Sequence, residues 1–181
     1  MPDFDFSRWD RFRLPRKPDR YIIAYGSNLD LDRMESRCPD CEPVGTSVIY
    51  GFRLLFKKSM TGFYATIEQD ANCCVPVVIY KVTAEDELML DRYEGCPRFY
   101  YKREFLLPIT RLNGKRMKDK KMCTAYVMHE YRQLGEPSAD YFALLDNGYT
   151  GWEFDKRILH KALADSVGTK RAEKLLKMYG K

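Results

Sequence analysis

Two hydrophobic rhythms divide the chain. Up to about residue 131, apolar residues come in short β-branched runs or alternate with polar ones, which is the pattern of strands. Residues 21–25, Tyr-Ile-Ile-Ala-Tyr, form the first run. Residues 44–58 read as one or two strands, and Gly51 inside the pattern marks a bulge or sharp bend. Residues 63–68 and 75–82 read as two further strands, with Pro76 placing the start of the second at an edge or bulge. Residues 99–111 and 121–131 are the last candidates, and Asn113-Gly114 supports a hairpin between them.

Helical signals are interleaved with these strands and then take over. Asp30-Leu31-Asp32-Arg33-Met34-Glu35 opens a helix with an acidic first turn, which Pro39 ends. Thr83 caps a second helix that starts Ala84-Glu85-Asp86-Glu87 and stops at Gly95, with Pro97 just beyond. Residues 138–148 put Tyr141, Leu144 and Leu145 on one face. Asp155 caps the next helix, with Ile158, Leu159, Ala162 and Leu163 inward, and residues 170–179 are amphipathic and basic. The class is therefore α+β: a small mixed β-barrel, or a curled sheet, with flanking helices. The expected organisation is one domain over 21–168, an extension over 1–20 and a basic helix over 169–181. The extension carries Phe4, Phe6, Trp9, Phe12, Pro15 and Pro18 and reads as an arm laid over its own domain; the other reading is a segment that docks a partner.

Composition narrows the class without naming a function. With 45% hydrophobic and 31% charged residues, the chain is a globular one. A net charge of +5 is too mild to point to nucleic acid. The basic stretch of residues 115–121 has no interleaved aromatic and reads as a solvated hairpin tip rather than a phosphate contact. No apolar run approaches the roughly 20 residues of a membrane span, and the N-terminus shows no signal core. The expectation is a cytoplasmic protein that binds neither nucleic acid nor membrane, with reduced cysteines. Cys38 and Cys41 form a single CxxC, and His129 and His160 lack zinc-finger spacing, so no metal is expected. The common nucleotide, dinucleotide and metalloprotease motifs are missing, so no cofactor is expected either. Neither histidine sits in a nucleophile motif, and both read as structural or surface residues.

Two places could carry chemistry. The strand of residues 21–25 breaks at Gly26-Ser27-Asn28 and runs into a helix, a corner that gathers free backbone N–H groups for an anion or an oxyanion. Glu94 ends the second predicted helix, where the dipole disfavours a carboxylate. Tyr93, Cys96 and Pro97 would give it apolar company. Both effects would raise its pKa toward what a general acid/base needs near neutral pH. A plain corner and an exposed Glu at a frayed helix end are the structural alternatives.

Tyr25-Gly26-Ser27-Asn28-Leu29, Ala65-Thr66-Ile67, and Leu90-Asp91-Arg92-Tyr93-Glu94-Gly95 followed by Pro97 and Tyr100 together resemble the γ-glutamylcyclotransferase-like family, which includes AIG2-like proteins and γ-glutamylamine cyclotransferases. The resemblance covers roughly 21–155. It implies the γ-glutamylcyclotransferase-like mixed barrel with one substrate cavity and no cofactor. It also implies cleavage of a γ-glutamyl amide by the substrate's own α-amine, giving 5-oxoproline and a free amine or amino acid. Glu94 matches the family's acid/base. Ile23, Ala24, Tyr25, Gly26, Ser27 and Asn28 match the substrate-binding loop, without assigning which N–H meets a carboxylate and which an oxyanion. Tyr100 matches a pocket tyrosine, which a one-residue shift would exchange for Tyr101. Tyr141 matches another pocket aromatic. Val75-Pro76-Val77 departs from a Gly-Val start common in relatives. The substrate stays open among a γ-glutamyl amino acid, a γ-glutamyl-lysine product, glutathione and an acylated secondary metabolite. A metabolite-binding module without catalysis, or an interaction protein using its arm or basic hairpin, are the competing readings, and oligomeric state is not legible.

Overall fold

The computed structural model describes residues 19–179. The arm expected at residues 1–20 lies outside the described residues except for its last two. Six strands form one mixed sheet: β1 Arg20–Ala24, β2 Glu42–Lys58, β3 Phe63–Val82, β4 Tyr100–Leu107, β5 Thr110–Arg111 and β6 Lys121–Met128. Their order is β4-β6-β1-β3-β2-β5. Pairings are antiparallel except that of β1 with β6, where Ile22 lies opposite Thr124. Among the described residues five helices pack around the sheet: α1 Leu31–Arg37, α2 Ala84–Glu94, α3 Ala139–Gly151, α4 Lys156–Val167 and α5 Thr169–Tyr179.

The long β2–β3 hairpin shapes the molecule. The two strands expected at 63–68 and 75–82 are one continuous strand. The register jumps from Phe52 opposite Gln69 to Tyr50 opposite Cys74, so β3 carries extra residues that bow out of the ladder. Gly51 absorbs the kink on β2 at φ 77°, a left-handed conformation natural to glycine. Pro76 lies beside this bend, beyond the last β1 pairing at Val78.

The sheet curls but does not close, so of the two expected forms it is the curled sheet rather than the closed barrel. Its end strands, β4 and β5, do not pair with each other. Where β2 and β4 face each other, Phe52 meets Phe105 edge to face, ring centroids 5.2 Å apart, and the Ser47 hydroxyl donates to Pro108 C=O at 2.6 Å, so side chains stand in for a strand ladder there. The expected hairpin over 99–131 is also modified. β4 and β6 pair antiparallel from Tyr100 opposite Met128 to Leu107 opposite Lys121. The Asn113-Gly114 turn belongs to an excursion between them, in which β5 crosses to the edge of β2. The basic residues of this excursion are mostly exposed.

Of the last three helices α4 packs on β2 of the bent hairpin, and α3 and α5 pack beside α4. Leu159, Ala162 and Leu163 of α4 are fully buried, while Ile158 is partly exposed. The Phe56 N–H donates to Ser166 Oγ at 2.8 Å, satisfying a strand donor from a helix. On α3 the inward residues are Phe142, Leu145, Gly148 and Tyr149, with Tyr141 and Leu144 half-buried. Ala172 and Leu175 of α5 join the same core. Among the described residues no helix is long and apolar enough to cross a membrane.

Candidate active site

β1 delivers its chain end to the middle of the sheet and stops at Ala24. The backbone turns at Gly26 into a 3-10 turn, Ser27–Leu29, closed by the Leu29 N–H donating to Gly26 C=O at 3.0 Å. The N–H groups ahead of such a first bond have no partner within the turn. Asp30 then caps α1, accepting from the Arg33 N–H at 2.9 Å. α3 clamps the turn from outside. Gly148 packs so closely on Leu29 that a Cβ there would lie 2.9 Å from the Leu29 Cβ, and the Trp152 indole N–H donates to Leu29 C=O at 2.8 Å. Gly26 is equally confined: a Cβ would lie 3.3 Å from both the Ala65 Cβ and the Tyr141 hydroxyl.

α2 brings Glu94 to this turn. A capping box sets its start, with Thr83 Oγ1 accepting from Asp86 N–H and Asp86 Oδ2 from Thr83 N–H, each at 3.1 Å. Gly95 in left-handed conformation ends it. The helix is tied to the sheet by the Tyr126 hydroxyl donating to Asp91 at 2.6 Å, and by Lys102 bridging Glu87 and Asp91 at 2.7 Å each. Asp91 of the Asp-x-x-Glu motif is thus an anchor, and Glu94, one turn on, is what it anchors. Burial pushes the Glu94 carboxyl up from 4.5 to about 7, against the opposing pull of the Arg37 charge and a hydrogen bond from Asn28. Desolvation is therefore the leading cause, where the sequence pointed equally to the helix end.

Three tyrosines surround the carboxyl with different hydrogen-bond roles. Tyr25 donates its hydroxyl proton to Tyr126 C=O, and Tyr100 donates to Ala65 C=O at 3.2 Å. Tyr141 instead accepts from the Ala65 N–H at 3.1 Å, which leaves its own O–H available as a donor. Burial raises all three phenols above their ordinary values, so they are neutral around pH 7.

The space between these groups has two parts. A narrow inner cavity is lined by Ile23, Ala24, Tyr25, Gly26, Ser27, Asn28, Ala65, Glu94, Tyr100, Tyr126 and Tyr141. The structure thus brings every site residue named from the sequence around one cavity. A roomier outer cavity shares Ser27, Glu94, Tyr100 and Tyr141 with it and adds Arg33, Met60, Tyr64, Arg92, Tyr93 and Phe99, among others. Glu94 stands on the wall between the two. Tyr101, the one-residue alternative, points away from both and packs against His129, ring centroids 5.3 Å apart. His129 bonds Pro97 C=O at 2.9 Å and His160 stacks on Phe142, so both rings act in packing.

Tyr126 and Arg37 escaped the sequence reading, and Ala65, noted there as part of a motif, was given no site role. Arg37 looks like an ordinary basic residue in the last turn of a helix. In space its guanidinium donates to Ser27 Oγ at 3.0 Å, to Asn28 Oδ1, and to the Tyr93 hydroxyl at 2.5 Å. Among the described residues no three His, Cys, Asp or Glu side chains gather as metal ligands would, and all six cysteines are free thiols.

No curated protein sequence matches the chain. Among solved structures, one described as a gamma-glutamyl cyclotransferase superposes with a TM-score of 0.67 at 22% identity, covering 89% of this chain and 99% of the other. A protein from Homo sapiens gives the same TM-score and coverages at 24% identity. A yeast cyclotransferase described as specific to glutathione gives 0.58 at 11% identity, covering 91% and 96%. At these identities the likeness is one of fold. The sequence itself matches, over residues 22–143, the family described as gamma-glutamyl cyclotransferase, AIG2-like, and the chain belongs to that family.

Proposed function

We propose that the protein cleaves a γ-glutamyl amide by intramolecular cyclisation, releasing 5-oxoproline and an amine or amino acid. The observation that carries this reading is the Glu94 carboxyl, with a pKa near 7, on the wall between a narrow polar cavity and a roomier outer one. Ring closure needs no protein nucleophile, because the substrate's neutral α-amine attacks its own γ-carbonyl. The inner cavity folds the glutamyl group into the attacking pose, a proximity effect. Glu94 takes the N–H proton as the new C–N bond forms. It returns that proton to the amide nitrogen as the old C–N bond breaks. The free N–H groups of the turn and the Tyr141 O–H supply donors for the glutamyl carboxylate and the developing oxyanion.

The leaving group occupies the outer cavity. Arg33 and Arg92 line it, and Glu94 is the one acid among its described lining residues, so leaving groups carrying a carboxylate suit it better than cationic amines. The test is incubation with a panel of γ-glutamyl amides and mass-spectrometric detection of 5-oxoproline. Product from wild type and none from Glu94→Gln is the expected result. No product across the panel from folded wild-type protein overturns the reading in favour of a metabolite-binding module.

A further inference from the structure

Glu94 is faced from every side. Tyr25 just after β1, Tyr100 of β4 and Tyr141 of α3 look onto it, with Tyr126 of β6 on the same cavity wall. Tyr93 and Cys96 flank it in the chain, Arg33 and Arg92 line the outer side, and Arg37 approaches from α1. The buried phenols stay neutral around pH 7, and burial raises the Cys96 thiol as well. Arg37 and Asn28 are therefore the groups that act on the carboxylate form of Glu94.

The two are joined. Arg37 ties three pieces together: the end of its own helix, the Ser27–Asn28 turn, and the end of α2 through the Tyr93 hydroxyl and ring, whose centroid lies 3.8 Å from the guanidinium carbon. A guanidinium has donors and no acceptor, so it selects the oxygen end of a carboxamide. The nitrogen end of Asn28 is then left for Glu94. Without that selection the amide is free to flip, and its oxygen would oppose a carboxylate.

We propose that Arg37 is a positioning residue for Glu94: by holding the Asn28 amide oxygen, it aims the Asn28 N–H donor at the Glu94 carboxyl. The proposal rests on the reading of Glu94 as the proton carrier of cyclisation. It assigns Arg37 no contact with substrate. Its effect is on when Glu94 gives up its proton and on where that carboxyl points.

The test follows Glu94 directly. Side-chain carboxyl ¹³C NMR of glutamate-labelled protein, with Glu94→Gln identifying the resonance, gives its titration midpoint whether or not the substrate is known. In Arg37→Gln the midpoint rises by about one pH unit, and the acid limb of the kcat/KM profile moves with it. Turnover at pH 7 falls roughly five- to tenfold and recovers toward wild type near pH 9. Asn28→Ala raises the midpoint by a similar amount, and adding Arg37→Gln to it adds little further. Arg37→Lys, which keeps donors and charge, restores much of the wild-type profile. An unmoved midpoint in Asn28→Ala overturns the proposal even if Arg37→Gln fails to fold. An equal Arg37→Gln shift in both backgrounds also overturns it, because Arg37 then acts by charge through space. The expected NMR shifts without product from any γ-glutamyl amide would support the Arg37–Asn28–Glu94 coupling and overturn the cyclotransferase reading.

Discussion

The inner and outer cavities share the Glu94 carboxyl but are built from different material. The inner wall is made of a clamped backbone turn, the end of a capped helix and buried phenols held by main-chain bonds, as in Ala65, whose N–H and C=O both meet tyrosine hydroxyls. The outer wall is made of the 59–62 connection and side chains such as Arg33, Arg92 and Tyr93, which are exposed. Chemistry that tolerates little displacement belongs on the first kind of surface, and selection among leaving groups belongs on the second. Under the proposed function, the contrast makes reaction type and choice of leaving group separable by mutation.

The largest effect is expected from the shared group. Glu94→Gln should lower turnover by about 10³-fold or more, measured as 5-oxoproline release, because it removes proton transfer while keeping shape. The wild-type kcat/KM should climb with pH to a half-maximum near 7, since the base must be ionised. Next comes the inner wall. Tyr141→Phe should cost roughly 10²-fold in kcat with little change in KM, as loss of one oxyanion donor does. An equal loss in KM would place Tyr141 on the ground-state carboxylate instead. Tyr100→Phe should cost less, because the Tyr100 proton is engaged by Ala65 C=O and its loss is felt as stability, about 1–2 kcal/mol in denaturant melts. The outer wall should show the smallest effect and a different kind. Arg33→Gln and Arg92→Gln should each raise KM a few-fold for γ-glutamyl amino acids, by loss of a partly exposed ion pair, and leave γ-glutamyl alkylamides unchanged. A kcat loss for both substrate types would collapse the distinction between the cavities.

One prediction sets function against stability. The Glu94 pKa is about 7 in the fold against an ordinary 4.5, so the folded protein binds more protons than the unfolded chain between those values. Stability from this site is fullest below pH 4.5 and falls as pH rises through 7. Glu94→Gln should therefore be more stable than wild type at pH 8, by about 1–3 kcal/mol, and gain little at pH 4.5. Urea unfolding at the two pH values measures it.

Much of this was written locally. The apolar run into Gly26-Ser27-Asn28, the Thr83 cap, the Gly95 stop and the Gly51 kink each lie within a few residues of what they control, and local spacing specifies them. Alternation in β4 then decides between Tyr100 and Tyr101 once one face is known to be inside. What needed the tertiary structure was contact between distant positions. Arg37 and Tyr93 are 56 residues apart, Ala65 and Tyr141 76, and Tyr25 and Tyr126 101. No local pattern marks such pairs, so nothing in the sequence singles out Arg37 or Tyr126. The choice between barrel and curled sheet and the continuity of β3 were hidden for the same reason, since strand pairing is a property of partners rather than of a strand. The sequence by itself set the turn and the helix that ends in Glu94. Only the packed fold removed water from that carboxyl and set Arg37 and Asn28 against the loss, and that balance puts its pKa near 7.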